Sequence, residues 1–200
     1  MKDKKEDVFN RIAKKGLFPP QLAFTLLIPL RNIILSPKKL VKRLDLKTDY
    51  RVLEVGCGPG YFSPKVARAI PNGKLVLTDI QREMLIKAKK RLSRKNVSNV
   101  EYHLSNGIDF PFKDNEFDCI YMVTVIGEIE NQEQYVKEFL RILRPGGIVS
   151  ISEQAGDPDK MSINEVKNLF NKFNFKFDKI YGSKRNYTIN FVKPDWLDKK

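Results

Sequence analysis

The stretch Val52-Leu-Glu-Val-Gly-Cys-Gly-Pro-Gly-Tyr-Phe-Ser63 constrains this chain more than any other. A strand pattern, RVLEV over 51–55, runs into glycine at 56, 58 and 60, and a helix pattern with Phe62, Val66 and Ile70 on one face follows at once. Glycine takes positive φ without strain and lets a ligand approach the backbone closely. A strand, a glycine turn and a helix in immediate succession form the unit from which ligand-binding parallel α/β sheets are built. The spacing is G-x-G-x-G, tighter than the dinucleotide fingerprint G-x-G-x-x-G.

The same texture continues along the chain. Strand KLVLT (74–78) ends on Asp79, and a helix follows with Met84, Leu85, Ala88 and Leu92 inward and Glu83 and Lys87 paired outside. Strands VEYHL (100–104) and FDCIYMV (117–123) come next. A helix from about Gln132 carries Tyr135, Val136, Phe139, Leu140 and Leu143, and is expected to stop at the breaker Arg144-Pro-Gly-Gly147 ahead of strand IVSIS (148–152). Ser162-Ile-Asn-Glu165 reads as a capping box. Two closing strands, FKFDKIYG and NYTINFV, are joined by too short a turn to be parallel. Repeated strand–helix units with near-continuous apolar strands predict a mostly parallel sheet covered on both faces.

Residues 1–49 differ from the rest and are read as an N-terminal helical arm, with 50–200 as the main domain. The arm holds twelve Lys and Arg against five acids, over half of the chain's formal charge of +13. It comprises a basic amphipathic helix with Phe9, Ile12 and Ala13 on one face, a proline-broken apolar run, and a helix opened by Ser36-Pro37. The longest uncharged stretch, Gly16–Leu30, is too short to span a bilayer and is interrupted by Pro19, Pro20 and Pro29. With no secretory pattern and two cysteines, Cys57 and Cys119, lacking metal or disulfide spacing, a cytoplasmic protein is expected.

The glycine turn preceded by Glu54 resembles the first motif of class I S-adenosylmethionine-dependent methyltransferases. Three more matches follow in order: Asp79-Ile80 after the second strand, Asn106-Gly-Ile-Asp-Phe-Pro-Phe112 with Asp114-Asn-Glu-Phe-Asp118, and RILRPGGIVSISE over 141–153. The resemblance covers about residues 50–193 and looks closest to the branch with small-molecule methyltransferases of quinone-biosynthesis type. It implies a Rossmann-like doubly wound sheet of seven strands in the order 3-2-1-4-5-7-6, the last antiparallel. It also implies S-adenosylmethionine as cofactor, with no diphosphate to cradle. The implied cofactor-binding residues are Glu54, Gly56, Cys57, Gly58, Gly60, Asp79, Ile80, Asn106, Gly107 and Val123. Asp79 would accept from ribose hydroxyls and Ile80 pack on adenine. The family often has Asp where this chain has Asn106, whose amide oxygen can accept the same adenine hydrogen bond.

Because the cofactor's sulfonium carries an activated methyl group, transfer by in-line displacement mainly requires an acceptor held close and collinear. A base is optional. Glu128, Glu153 and Tyr61 are the candidates for it, read as structural or acceptor-positioning groups in preference to proton acceptors; no catalytic residue or metal set is assigned, and the sole histidine, His103, reads as a core or inter-strand residue. The Asn-Pro-Pro-aromatic motif of amino-group methylases is missing, and neither cysteine is placed for cytosine C5 attack. Three readings of the acceptor remain: a small molecule, hydrophobic if the apolar residues 17–35 form a lid with Arg31 reaching inward; an RNA or protein bound through the basic arm; and an arm that docks on an anionic membrane. Packing of the arm as additional core is the alternative to a lid.

Overall fold

The computed structural model describes residues 35–195. The expected basic helix, and the lid apart from Leu35, lie outside the described residues. Helix α1 (Pro37–Leu44) opens as expected: the Ser36 side chain accepts from Lys39 N–H, with Pro37 in the first turn. It is followed by β1 (Arg51–Val55), α2 (Ser63–Ala69), β2 (Lys74–Asp79), α3 (Arg82–Ser93), β3 (Val100–Leu104) and β4 (Phe117–Val123). A 3-10 turn (Ile126–Glu128), α4 (Gln132–Ile142), β5 (Leu143–Glu153), α5 (Ile163–Asn171), β6 (Lys176–Ser183) and β7 (Asn186–Val192) complete the described chain.

The seven strands form one sheet in the order β3-β2-β1-β4-β5-β7-β6. The strands from β3 to β5 are parallel neighbours, and β7 runs antiparallel to both β5 and β6. Side chains alternate across each strand, so β1 sends Val52 into the cluster with Leu40, Leu44, Val66, Ile70 and Leu92. It sends Leu53 and Val55 into the opposite cluster with Phe139, Phe170 and Phe191. The strand order reverses between β1 and β4, and in such sheets the ligand crevice lies outside the carboxyl ends of the strands at that switch point.

Two details differ from the sequence reading. Helix α4 ends at Ile142, and Leu143 belongs to β5, so the Arg144-Pro-Gly-Gly147 breaker lies inside a strand. The ladder absorbs it: Phe117 pairs with Leu143 and Cys119 with Ile148, a register shift in which β5 carries the surplus residues. Gly146 N–H donates to Lys193 O and Lys193 N–H to Gly147 O, keeping this backbone bonded. The other difference is a polar seam. On the α1 side of the sheet Ser150 Oγ donates to Asn190 Oδ1, Ser152 and Thr188 share a hydrogen bond, and Arg43 Nη1 donates to Thr188 Oγ1. Asn190 Nδ2 donates to Arg43 O, so α1 is fastened to β7 by polar contacts as well as by Leu40 and Leu44.

The capping box on α5 forms in full, and its helix stacks Phe170 on Phe191, ring centroids 4.4 Å apart and ring planes nearly parallel. Both rings are completely buried. Phe170→Ala is expected to lower the unfolding free energy by about 3–5 kcal/mol, the range for deleting a buried ring. Denaturant unfolding followed by circular dichroism measures it, and a loss under 1 kcal/mol, on the order of a surface substitution, would contradict this packing.

Candidate functional site

The site is built from the ends of β1, β2, β4 and β5. Gly56, Gly58 and Gly60 all adopt positive φ, at 67°, 52° and 74°. At Gly56 a Cβ would lie 2.6 Å from Val125 Cγ2, so the segment after β4 closes directly on the turn. At Gly60 a Cβ would press on Ala88 and Leu92 of α3. Cys57 N–H donates to Thr78 O, and Gly60 N–H to Cys57 O, so the turn is also tied to β2.

Two buried carboxyls fasten this turn. Glu54 follows Val52 onto the α2 face by strand alternation, where Ser63 Oγ donates to Glu54 Oε2 at 2.6 Å. Its neighbour in register on β4 is the buried Tyr121. Burial pushes the Glu54 carboxyl up to about 7, against the bond from Ser63. Glu54 is thus placed beneath the turn. Asp79 is placed at its rim. Its Oδ2 accepts from Gly58 N–H at 2.9 Å and its Oδ1 from Gln81 N–H at 2.9 Å. Burial raises the Asp79 carboxyl, and these backbone donors oppose the shift.

Beyond Asp79 the surface turns apolar. Ile80 is 43% exposed and Ile108 64% exposed, unusual for isoleucines beside a crevice. Gly107, at φ 76°, lies against Ile80, where a Cβ would be 3.7 Å from Cγ2. Asn106 is close by, but its Oδ1 already accepts from Ile108 N–H and Asp109 N–H, and its Nδ2 donates to Asp109 Oδ1 at 2.6 Å. The amide oxygen expected to meet adenine is therefore engaged in shaping the loop.

On the far side stand Glu128, at the end of the 3-10 turn, and Glu153, at the end of β5. Burial pushes each carboxyl up to about 8; Asp157 and Asp159 add to the effect at Glu128, and Asp157 adds to it at Glu153. Tyr61 is not part of this group: Arg91 of α3 lies over its ring at 5.9 Å. His103 is half-buried on the edge strand β3, 5.3 Å from the Phe112 ring. Both cysteines are buried with their thiols pushed up by burial, which removes them as nucleophiles. A separate groove of about 450 Å³ lined by Lys89, Ser93, Asn96 and Tyr102 reaches Val100, at the amino end of β3, opposite the glycine turn.

Sequence reasoning missed Thr124 and Val125. Thr124 holds φ at 54°, a left-handed conformation that is an outlier for a β-branched residue. Its N–H donates to Ser152 O and its hydroxyl to Val123 O, which hold the bend that turns Val125 onto Gly56. Only the ordinary strand end at Val123 marks this in the sequence.

A family model described as a methyltransferase domain matches residues 52–147. This span takes in the glycine turn, Asp79, the Asn106 loop and the Pro-Gly-Gly segment. The chain belongs to the class I S-adenosylmethionine-dependent methyltransferases. S-adenosylmethionine is its cofactor. The ubiquinone/menaquinone biosynthesis C-methyltransferase UbiE of Pseudomonas fluorescens (strain SBW25) is 27% identical over 189 residues, covering 90% of this chain and 68% of that protein. The UbiE protein of Pseudomonas savastanoi pv. phaseolicola is 30% identical over 139 residues, covering 68% of this chain, which here spans about half of its relative, 53%. A crystal structure of an S-adenosylmethionine-dependent methyltransferase from Aquifex aeolicus shares the fold with a TM-score of 0.83 at 24% identity, covering 88% of this chain and 99% of that one. No helix among the described residues is long and apolar enough to cross a membrane.

The three raised carboxyls give a stability test with a defined sign. Glu54, Glu128 and Glu153 hold protons in the folded state to about 7, 8 and 8, above the ordinary 4.5. Between these limits the native state binds more protons than the unfolded one, so their stabilising contribution is complete below pH 4.5 and is lost as pH rises through 7 to 8. The ligand-free protein is expected to melt at progressively lower temperature from about pH 5 to about pH 8, and Glu54→Gln should flatten the profile. A melting temperature that climbs over that interval would contradict the assigned protonation.

Proposed function

We propose that this protein transfers the methyl group of S-adenosylmethionine to a small-molecule acceptor held over the carboxyl ends of β4 and β5. The observation that carries the reading is the shared geometry of the turn and Asp79. Three positive-φ glycines shape the turn, with Val125 packed on Gly56 and α3 on Gly60, and a buried carboxyl stands at its rim. Asp79 Oδ2 accepts from Gly58 N–H and Oδ1 from Gln81 N–H, the Ile80 amide also acts on the carboxylate, and each carboxylate oxygen accepts two hydrogen bonds. Asp79 would hold the two ribose hydroxyls, exposed Ile80 and Ile108 would cover the adenine, and Gly56, Cys57, Gly58, Gly107 and Val123 would offer close backbone approach. Gly60 would act differently, by letting α3 close on the turn. Glu54 would support the site through Ser63, and Asn106 through its loop.

The cofactor supplies an activated methyl group on a sulfonium. The protein's part is to orient the acceptor and exclude water, which accounts for most of the acceleration such a displacement needs. Val125, set by the bend at Thr124, fixes the spacing between the glycine turn and the acceptor side. C-methylation is the reaction of the UbiE relatives; the atom methylated here is a separate question.

Asp79→Ala is expected to weaken S-adenosylmethionine binding by about 1.5–3 kcal/mol, the scale of hydrogen bonds to a charged group. Gly58→Val, which must also force φ 52° on a β-branched residue, should weaken it further. Titration calorimetry decides it, and wild-type affinity in both variants would remove this reading.

A further inference from the structure

The carboxyl of Glu153 is the least accounted-for group in the described structure. It is 1% exposed, and among the described residues neither oxygen has a hydrogen-bond partner. Buried polar atoms in folded proteins are nearly always paired, and one that is not calls for a water, an ion, a ligand or a catalytic role to account for it. Glu153 is moreover not alone. It feels the charges of Glu128 and Asp157, and Glu128 in turn feels Asp157, Asp159 and Asp79. Backbone packing draws these groups together: a Cβ on Gly127 would overlap Asp159 O, so the loop after β5 lies directly on the 3-10 turn that carries Glu128.

Cations are scarce at this point on a chain of formal charge +13. Among the described residues, Glu128, Glu153 and Asp159 enter none of the ion pairs, which instead use Glu101, Glu116, Asp114, Glu138, Asp118, Glu133 and Asp178. Lys160 is near enough to act on Glu153, but its ammonium donates to Lys184 O and lies over the Tyr187 ring. Tyr187 itself pairs in register with Glu153 and donates its hydroxyl to Met161 O. Glu128 feels the charge of Asp79, and the parallel pairing of β2, β1, β4 and β5 brings Glu153 to the same carboxyl edge of the sheet as the glycine turn.

We propose that Glu153 and Glu128 form the acceptor subsite of this enzyme and that the acceptor is a protonated amine. This rests on the methyl-transfer reading above. A field set by several carboxyls disfavours a phenolate or enolate and favours an ammonium, and the missing partner of Glu153 is an N–H donor. The ammonium first gives one proton to the Glu153 carboxylate, which leaves a neutral amine with a free lone pair. That pair forms the N–C bond to the methyl carbon as the C–S bond breaks, and its electrons remain on sulfur as a thioether. The methylated nitrogen carries the positive charge, still facing Glu128.

The test uses the full chain and a panel of octylamine, benzylamine and spermidine set against octanol, phenol and octanoate. Binding is measured by calorimetry at pH 7 without cofactor, in two buffers of different ionisation enthalpy. The free Glu153 carboxyl holds its proton to about 8, with Glu128, Asp157, Lys160 and Tyr187 around it, so binding an ammonium should release protons to solution. Neutral ligands should release none. The Glu153→Gln variant should bind the preferred amine about tenfold or more weakly and lose most of the proton release. Glu128→Gln is the second variant, should the first not fold, and should weaken amine binding in the same direction. Both variants should bind S-adenosylhomocysteine like the wild type. Preference for phenol, octanol or octanoate, amine binding unchanged in the variants, or a parallel loss of S-adenosylhomocysteine binding would each overturn the amine subsite. Wild-type protein that fails to bind S-adenosylhomocysteine would instead overturn the methyl-transfer reading on which the subsite rests.

Discussion

The site depends on two buried acids holding one glycine turn. Asp79 reaches from the end of β2 to the Gly58 amide, and Glu54 reaches from the end of β1 to the Ser63 hydroxyl at the start of α2. A turn with three glycines at positive φ has only Cys57 and Pro59 to pack, so outside groups help define its shape. Here the floor comes from Glu54, the rim from Asp79 and the wall from Val125, pressed against Gly56. The parallel pairing of β1 with both β2 and β4 brings these three strand ends to one edge. Desolvation raises both carboxyls, which is the cost of placing acids under a backbone that must stay bare for a ligand.

Most of the sheet was legible because each parallel strand is a short apolar run between a glycine or acidic turn and a periodic helix. The position of Asp79, an acid closing a buried strand, was legible too, and the structure sets it against the Gly58 and Gln81 amides. The fastening of α1 was not legible. Thr188 and Asn190 alternate with apolar residues as on a solvated face, yet both are buried beneath Arg43. The loop bonds of Asn106 were not legible either: a side-chain amide in a tight loop is claimed by nearby backbone N–H groups. Thr124 gave no signal because left-handed backbone at a β-branched residue follows from tertiary context, not from residue type.

Charge shows the same separation between composition and site. The chain is strongly basic overall, yet the carboxyl edge beside the cofactor position gathers Asp79, Glu128, Glu153, Asp157 and Asp159. Net charge informs long-range attraction, whereas the residues that face the crevice set what it accepts. The fold does not decide the chemistry either. Function has to be argued from the strand ends.

The central claim is that cofactor seats on the turn fastened by Asp79 and Glu54. Amide hydrogen exchange, with and without S-adenosylhomocysteine, tests it most directly because it reports each segment separately. The account predicts added protection at residues 56–60, 79–81 and 105–109, with little change at Lys89–Tyr102. Protection confined to that groove at the amino end of β3, with the glycine turn exchanging as before, would contradict it.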